Sequence, residues 1–384
     1  MMKENMKIGK IIYLCFVICA IKFLPSAVVS GQRAGGIIQQ ALFLGDSTNF
    51  NTTREDCIWK RFDIDKCPDP DINIYLYLQL NSTRITFDMR QGDWLRQSKL
   101  DPFKENILLI HGYAGGDNTL PTAVLRDAYL RHGGYNVFVA DWGPLANPPC
   151  YVAAVHNMKN VARCLAEYLT FLRDSGLKID KTTCVGHSLG AHVCGLISNY
   201  MKFRAERIIG LDPARPLIKP GNMNRLDSGD AKAVHVIHTN AGYYGETGKV
   251  GHVDFCINGG KHQPYCQYTS NTNLCSHIWS ICYLAQSIFQ GIEPYAEPCS
   301  RRCPSGLRGL RSLRGRNLAR YAVRNAIPMG MTTPMNAYGS YCIKDDQPPF
   351  CPTSPDSIGD QRCCLDYPPE DIDENSLRRR RFFS

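Results

Sequence analysis

Short apolar runs alternate with helical patterns from about residue 100 to residue 240, and this alternation restricts the fold more than any other feature. The runs lie at residues 107–110, 136–140, 182–186, 207–211 and 233–238. Between them, residues 155–172 repeat apolar side chains at helical spacing, and Gly176 is placed to end that helix. Such alternation is typical of a mostly parallel sheet with helices on both faces. We therefore expect an α/β fold.

The regions on either side of this core differ from it in composition. Residues 31–100 are predicted to form irregular segments and strands. Residues 75–80 alternate apolar and polar side chains, which predicts an edge strand. After about residue 300 the chain becomes rich in Arg, Gly, Pro and Cys, which is more typical of an extension than of a second core. We expect a signal peptide at 1–30, one domain at 31–345, and a Cys- and Pro-containing tail with a basic end at 346–384, for which disorder is one interpretation.

The amino-terminal segment and the cysteines both indicate export. Residues 3–10 contain three lysines, residues 11–24 are mostly apolar, and small residues suitable for cleavage follow at 28–30. The apolar run is too short for a membrane span. The mature chain would hold an even number of cysteines, which favours disulfides, and the sequons at Asn51 and Asn81 are candidate glycosylation sites. We expect a secreted, extracellular, disulfide-bonded protein.

The net charge of +9 lies mainly at the two ends of the chain, and residues 31–299 are close to neutral. This excludes a basic body that binds nucleic acid. Arginines recur between Arg301 and Arg324 with no acidic residue among them. The tail is interpreted either as a solvated, flexible segment or as a surface for anionic lipid, heparin-like sugars or a processing protease.

Residues 186–190, GHSLG, match the pattern G-x-S-x-G around Ser188. The string alone is weak evidence, but an apolar strand leads into it and a helical segment at 191–200 follows. In a sharp strand-to-helix turn the glycines provide clearance and the hydroxyl projects from the sheet, while the helix N-terminus favours developing negative charge. The context predicts Ser188 as a nucleophile, and a purely structural turn is the alternative.

A nucleophilic serine needs a base and a carboxylate that orients the base. Asp212 directly follows the run at 207–211, which would place it at the carboxyl end of a neighbouring strand. Asp227, Asp230 and Asp254 lack such a position. The sequence favours Asp212 as the orienting acid, against a simple turn aspartate.

Five histidines after Asp212 are candidates for the base. His235 and His238 lie within an apolar strand, where buried structural histidines are expected. His277 stands two residues after a small cysteine loop and opens an apolar segment, which suits a residue held over a cleft. The residues alone favour His277, with His252 second and His262 also open.

Eight short motifs follow one another between residues 107 and 277. They are IHGY at 110–113, DW at 141–142, GHSLGAH at 186–192, GLDPA at 210–214, RLD at 225–227, VIHT at 236–239, GHVDF with NGG at 251–260, and CSH at 275–277. In this order they closely resemble the pancreatic-lipase family of α/β-hydrolases, and most of all its insect secreted lipases and wasp-venom phospholipases A1. A weaker likeness extends to about residue 343.

The resemblance implies a Ser188, Asp212 and His277 triad. It also implies an oxyanion hole formed by the backbone N–H groups of Tyr113 and Leu189. No cofactor is implied for the chemistry.

The family also holds a structural calcium ion. The resemblance places its oxygen ligands at Asn222, Arg225, Asp227 and Asp230, a set of carboxylates and carbonyls that suits Ca²⁺. Asn222 stands where the family usually has an acidic residue, and its backbone carbonyl would still serve.

In this family the loop between Cys266 and Cys275, here a predicted disulfide, is the lid over the active site. Only eight mostly polar residues separate the two cysteines, and the loop at 240–250 also looks shortened. Both truncations resemble the phospholipase A1 branch, because a short lid leaves the cleft open for a polar headgroup. The alternative is that lid length does not decide the substrate.

The chain also departs from the family pattern. No β-sandwich of the pancreatic type is apparent after the domain, so no colipase partner is expected. Under the resemblance we expect bridges between Cys57 and Cys67 and between Cys150 and Cys164. Cysteines also stand at two family positions that are usually aromatic or aliphatic, Cys256 and Cys282, and an extra bridge between them is one expectation.

The function implied is hydrolysis of acyl-lipid esters by a secreted serine enzyme, with phospholipase A1 activity first and neutral glyceride lipase as the rival. The substrate would be a phospholipid or glyceride at a membrane or lipoprotein surface. The alternative of another class is a non-catalytic lipid-binding or yolk-type protein on the same fold. All three triad positions are present, which favours the enzyme.

Overall fold

The computed structural model describes residues 57–80, 84–89, 98–219, 221, 223–267, 271–289, 293–299, 303 and 325–345. Within these ranges, eleven strands form one sheet. In chain order they are β1 (Asn73–Tyr77), β2 (Ile85–Thr86), β3 (Glu105–Ile110), β4 (Tyr135–Asp141), β5 (Thr182–His187), β6 (Ala205–Leu211), β7 (Ala231–His238), β8 (Val253–Ile257), β9 (Tyr295–Pro298), β10 (Ile327–Pro328) and β11 (Gly339–Ile343).

The strand order is β10-β9-β11-β8-β7-β6-β5-β3-β4-β1-β2. The seven strands from β11 to β4 in this order are parallel, and antiparallel strands flank them on both sides. Because parallel strands end at the same edge, the segments after β3, β5, β6 and β7 meet there. The predicted mostly parallel α/β fold is confirmed.

Helices cover both faces of this sheet. They are α1 (Leu120–His132), α2 (Gly143–Ala146), α3 (Tyr151–Asp174), α4 (Leu189–Ile197) and α5 (Thr272–Ser287). Leu108 and Ile110 of β3 belong to the core with α3 and α4, whereas Ile107 and Leu109 belong to the core with α1 and α5. Burial on both faces explains why the central strands are continuous apolar runs rather than alternating ones. Gly176 adopts φ +108° just after α3, as predicted for its end.

Two predictions about the periphery are wrong. The strand predicted at residues 75–80 is β1, which ends at Tyr77 and lies between β4 and the short β2 rather than at the edge. The composition after residue 300 is interpreted as an extension, but β11 pairs in parallel with β8 inside the sheet, within the domain expected at 31–345. Composition misled here because the Arg-rich stretch separates β11 from the rest of the domain along the chain.

The disulfides confirm one predicted pair and correct the others. Cys266 and Cys275 are bonded as predicted. Cys57 pairs with Cys150 and Cys67 with Cys164, rather than Cys57 with Cys67 and Cys150 with Cys164. The reason is the length of α3: fourteen helical residues span about 21 Å, far beyond the Cα separation that a disulfide allows.

The remaining cysteines also differ from the expected bridge between Cys256 and Cys282. Cys256 is bonded to Cys303. Cys282 is disulfide-bonded, but its partner lies outside the described residues. Further bridges join Cys184 to Cys194 and Cys299 to Cys342.

Several predictions fall outside the described residues. They concern the signal peptide at 1–30, Asn51, Asn81 and the tail at 346–384. In the part of the chain that is described, no helix has the length and apolarity to cross a membrane.

Candidate active site

Ser188 occupies a strained turn between β5 and α4. Its backbone has φ +58° and ψ −120°, which few residues other than glycine adopt. A Cβ on Gly186 would lie 2.3 Å from the carbonyl oxygen of Gly190, and a Cβ on Gly190 would lie 2.2 Å from that of Ile110. Only glycine therefore fits at both flanking positions, and the turn has the predicted strand-to-helix form.

Asp212 lies beside this turn, at the end of the neighbouring strand. The N–H of Ser188 donates to the carbonyl of Leu211 at 3.0 Å. The Asp212 side chain is fully buried, and its Oδ1 accepts hydrogen bonds from the N–H groups of Thr239 and Asn240 at 2.9 and 3.0 Å. Two donors from the end of β7 thus hold the carboxylate in one orientation.

His277 comes from α5, and its ring reaches the same carboxylate. Its Nδ1–H donates to Asp212 Oδ2 at 2.6 Å. A carboxylate only accepts, so in the neutral ring the proton sits on Nδ1 and Nε2 is the free base. Among the described residues no hydrogen bond joins the Ser188 hydroxyl to His277, and such bonds often tighten only when substrate binds.

In the described part of the chain, none of the other candidate histidines has a hydrogen bond to Ser188 or Asp212. His252 Nδ1 accepts from Val234 N near the amino end of β7, at the opposite edge of the sheet. Burial lowers the pKa of His235 to about 3, which keeps its ring neutral. His238 donates from Nε2 to Asp254 at 2.9 Å within the core. His262 is exposed and contacts Asn273.

The two backbone groups expected to form an oxyanion hole lie on either side of Ser188. A Cβ on Gly112 would lie 2.7 Å from Ser188 Cβ, so the loop after β3 runs directly against the nucleophile turn. Tyr113 follows Gly112, and Leu189 is the first residue of α4. In the described ranges neither the Tyr113 nor the Leu189 N–H has a hydrogen-bond partner. Both groups are thus available to a ligand oxygen.

A buried histidine supports the acid loop and was missed by the sequence reasoning. His192 on α4 donates from Nε2 to the carbonyl of Ala214 at 2.6 Å and accepts at Nδ1 from the N–H of Leu226 at 3.1 Å. Burial lowers its pKa to about 4, so the ring stays neutral. Its position four residues after Ser188, on the helix from the nucleophile turn, was the available signal.

A second missed histidine, His187, precedes the nucleophile directly. Its ring lies 4.5 Å from the His277 ring, centroid to centroid, and its Nε2–H donates to the His277 carbonyl at 3.2 Å. Burial lowers the pKa of His187 well below the ordinary value, and the nearby His277 lowers it further. His187 therefore ties α5 to β5 without adding a positive charge.

Three of the four expected calcium ligands, Arg225, Asp227 and Asp230, lie within the described residues. Asp230 Oδ2 accepts from the N–H of Asp227 at 2.8 Å, and Asp227 Oδ2 is buried without a hydrogen-bond partner among the described residues. Burial raises the pKa of Asp230 to about 7, and the Asp227 charge raises it too. The Arg225 guanidinium, a cation without an acceptor atom, binds Glu246 at 2.6 Å, so only the backbone carbonyl of Arg225 could ligate calcium. Asn222 lies outside the described residues. A buried carboxylate oxygen without a donor fits a cation.

The disulfide between Cys266 and Cys275 lies at the start of α5, which also carries His277. The helix begins at Thr272, and the Asn271 side chain caps it by accepting from Leu274 N at 3.0 Å. Residues 268–270 within the loop lie outside the described ranges. The bridge therefore anchors the loop two residues from the His277 backbone.

Comparison with known proteins shows the family of this chain. Residues 37–301 match the family model described as Lipase. The chain is 32% identical over 213 residues to phospholipase A1 member A of Rattus norvegicus, covering 54% of this chain and 46% of that protein. It is 32% identical over 237 residues to lipase member H-A of Xenopus laevis, covering 59% and 51%.

The chain thus spans about half the length of the relatives that it matches. Among solved structures, it resembles an α/β hydrolase from a Medee basin deep-sea metagenome library at 18% identity, with 44% of this chain and 64% of that chain covered and a TM-score of 0.28. That score is low, and the sheet order itself is the evidence for the fold. The family model covers more than half of the chain, so the protein belongs to the lipase family, as its motifs between residues 107 and 277 predicted.

Proposed function

We propose that this chain is a secreted serine hydrolase that cleaves carboxylic esters of acyl lipids. The observation that carries the proposal is the 2.6 Å hydrogen bond from His277 Nδ1 to Asp212 Oδ2, beside the strained turn of Ser188. A buried acid, a histidine with one free nitrogen and a serine on a sharp turn are the parts that acyl transfer requires.

In the proposed reaction, Ser188 Oγ attacks the ester carbonyl while His277 Nε2 takes its proton. The N–H groups of Tyr113 and Leu189 stabilise the negative charge on the carbonyl oxygen. His277 then gives its proton to the leaving alcohol, and an acyl group remains on Ser188. A water molecule, deprotonated by His277, releases the fatty acid and restores the serine hydroxyl.

The preferred substrate in this proposal is a phospholipid, cleaved at the sn-1 ester. The loop between Cys266 and Cys275 is short and polar, which leaves room for a headgroup. Relatives named phospholipase A1 member A also include the protein of Bos taurus, at 34% identity over 200 residues. Neutral glycerides are the second candidate, because relatives named lipase member H match equally well.

The proposal includes a structural calcium ion held by the carboxylates of Asp227 and Asp230 and by the carbonyls of Asn222 and Arg225. The ion would neutralise the charges of Asp227 and Asp230, which lie beside the loop that follows Asp212. The chemistry itself requires no cofactor. We also propose that the enzyme leaves the cell through the signal peptide at 1–30 and works at a membrane or lipoprotein surface without colipase. The disulfides support an oxidising compartment.

The test supplies the purified protein with an emulsified phosphatidylcholine labelled at sn-1 and, in parallel, a triglyceride. We expect release of the sn-1 chain, little triglyceride turnover, and loss of both in Ser188→Ala with the fold retained. Dominant triglyceride turnover would favour the glyceride lipase. Absence of turnover together with no labelling of Ser188 by a fluorophosphonate would favour a non-catalytic lipid-binding protein.

A further inference from the structure

A groove of about 680 Å³ lies between α3 and the segment at residues 57–67. Its volume falls within the range of small-molecule pockets, which is about 300–1,000 Å³. Its apolar walls include Trp59, Phe62, Val152, Val155, Met158 and Leu196. Ser188, Asp212 and His277 do not line it.

The wall formed by residues 57–67 is clamped to α3 and is therefore preformed. Bridges from Cys57 to Cys150 and from Cys67 to Cys164 fix its two ends. Between them, Asn157 accepts from Lys60 N at 2.9 Å and donates to Ile58 O at 2.9 Å. A pocket with fixed walls loses little conformational entropy when it binds a ligand.

Large apolar side chains stand open to solvent at this groove. Phe62 is 47% exposed, Val152 44% and Leu217 36%. Scattered exposed apolar residues are ordinary, but several that line one concave surface mark a binding site. Leu217 also has φ +63°, a conformation that L-residues rarely adopt.

The polar groups of the groove favour an anion. Lys159 and Lys219 line it, both are exposed, and neither has a carboxylate partner in the described part of the chain. Lys60 pairs with Asp69 and Asp71 and is not available to an anion. Arg61 and the carboxylate of Asp63 also line the groove and lie 3.9 Å apart, so their charges offset each other. Asn160 is buried at the groove, and its Oδ1 has no hydrogen-bond partner among the described residues; as an acceptor it would take a donor and does not bind the anion.

We propose that this groove binds one long-chain fatty acid, with its chain against the apolar wall and its carboxylate at Lys159 and Lys219. An apolar trough with a cationic rim matches a single chain that ends in one negative charge. The groove also adjoins the candidate active site. Val152 and Leu217 directly follow Tyr151 and Pro216, which are joined by a 3.0 Å hydrogen bond. The Tyr151 ring packs edge-on against Tyr113.

Fatty acid is the carboxylate product of the reaction proposed above, so the choice of a fatty acid as the ligand rests on the proposed function. The ability of the groove to bind such a ligand does not rest on it. The groove therefore provides a second lipid site close to the point where a fatty acid would be released.

The test uses the full-length Ser188→Ala protein, so that no turnover occurs. Palmitate should displace the fluorescent fatty acid cis-parinarate saturably, with one site per chain. The double variant Lys159→Glu and Lys219→Glu should weaken palmitate binding at least about tenfold and leave binding of neutral hexadecanol unchanged. Val152→Trp, which fills the groove, should weaken both. The matched control Lys178→Glu and Lys181→Glu changes two exposed lysines next to β5 by the same charge and should change neither.

The inference is overturned by the absence of saturable binding, by an equal loss in the control variant, by tighter binding of lysophosphatidate than of palmitate by more than tenfold, or by a dimer whose formation excludes the ligand. Labelling Ser188 of the wild-type chain with a fluorophosphonate should leave palmitate binding intact; loss of binding would place the ligand in the candidate active site instead. Ester hydrolysis by the wild-type chain is measured separately, so failure of the proposed function is distinguished from failure of the groove.

Discussion

Nε2 of His238 lies 2.9 Å from Oδ1 of Asp254, and both side chains are fully buried. The pair stands directly behind the acid of the candidate site. Thr239 and Asn240 follow His238 in the chain, and their N–H groups hold Asp212 Oδ1. The buried pair thus fixes the end of β7 that orients Asp212.

We expect His238→Ala to lower the free energy of unfolding by about 3–5 kcal/mol, because it leaves the Asp254 carboxylate buried without its partner. Urea denaturation measures this change. His262→Ala, at an exposed ring, is the matched control and should stay within about 0.5 kcal/mol of wild type.

The effect of the pair should depend on pH. Burial lowers the pKa of His238, but the hydrogen bond and charge of Asp254 outweigh it and raise the pKa above its ordinary value of 6.5. A raised pKa means that the contribution is fully present below pH 6.5 and is lost as pH rises through the folded pKa. The stability gap between wild type and His238→Ala should therefore shrink above that pH, and a gap that widens would contradict this account.

Gly245→Ala should reduce turnover while the protein remains folded. A Cβ at this position would lie 2.4 Å from Asp212 Oδ1, so the carboxylate must move. A shift of about 1 Å in a catalytic group can cost about 10²-fold in rate. Gly116→Ala is the control, because its nearest neighbour would be 3.5 Å away. Equal kcat values for the two variants would show that Asp212 does not orient the base.

Calcium should stabilise the protein more at pH 8 than at pH 5. Without the ion, burial raises the Asp230 pKa to about 7, above its ordinary value of 3.8, so folding favours the protonated carboxyl and stability falls as pH rises through about 7. Calcium binds the ionised carboxylate and should reverse that fall. Thermal unfolding with EGTA or calcium measures both effects.

The variant Asp230→Asn is the control for the predicted effect of calcium on stability. Asp230→Asn should abolish both the pH-dependent fall and the response to calcium. A full calcium response in this variant would place the ion elsewhere.

Removing the bridge between Cys57 and Cys150 should cost more stability than removing the bridge between Cys184 and Cys194. The first closes a loop with a sequence separation of 93 and the second one of 10. Because the bridge between Cys67 and Cys164 stays intact, the loop that the first bridge closes runs through it and holds only about 24 residues. The loop-entropy model then gives about 3.5 kcal/mol for the first bridge and about 2.7 kcal/mol for the second. Denaturant unfolding of the two Cys→Ser double variants tests the order, and the opposite order would mean that native-state packing dominates.

The central fold was predictable because its strands are buried on both faces. The runs at 107–110 and 207–211 are apolar regardless of distant contacts, and each became a parallel strand. The edges were not predictable in the same way. β11 joins β8 only through pairing across more than eighty residues of chain, and no local pattern in its sequence records that partner.

In the candidate site, too, some residues could be predicted from the local sequence and others could not. Ser188 and Asp212 lie just after strands, where the edge of a parallel sheet brings them together, so sequence position located them. His277 lies on α5, and periodicity alone left it in competition with His252. His187 and His192 donate to backbone carbonyls, which no residue pattern predicts, and the only sequence signal was the position of His192 four residues after Ser188.

The late position of β11 in the chain also delays the pairing of β8 during synthesis. Strand β8 is buried throughout, and its partner on one side begins 82 residues after β8 ends, at Gly339. At a translation rate of about 5–20 residues per second, β11 is synthesised about 4–16 s after β8, and that edge of β8 stays unpaired in the meantime. During this interval a nascent chain presents an apolar strand edge able to pair with another chain. Truncation before Gly339 would make that transient exposure permanent, so completion of the sheet depends on the late arrival of a five-residue strand.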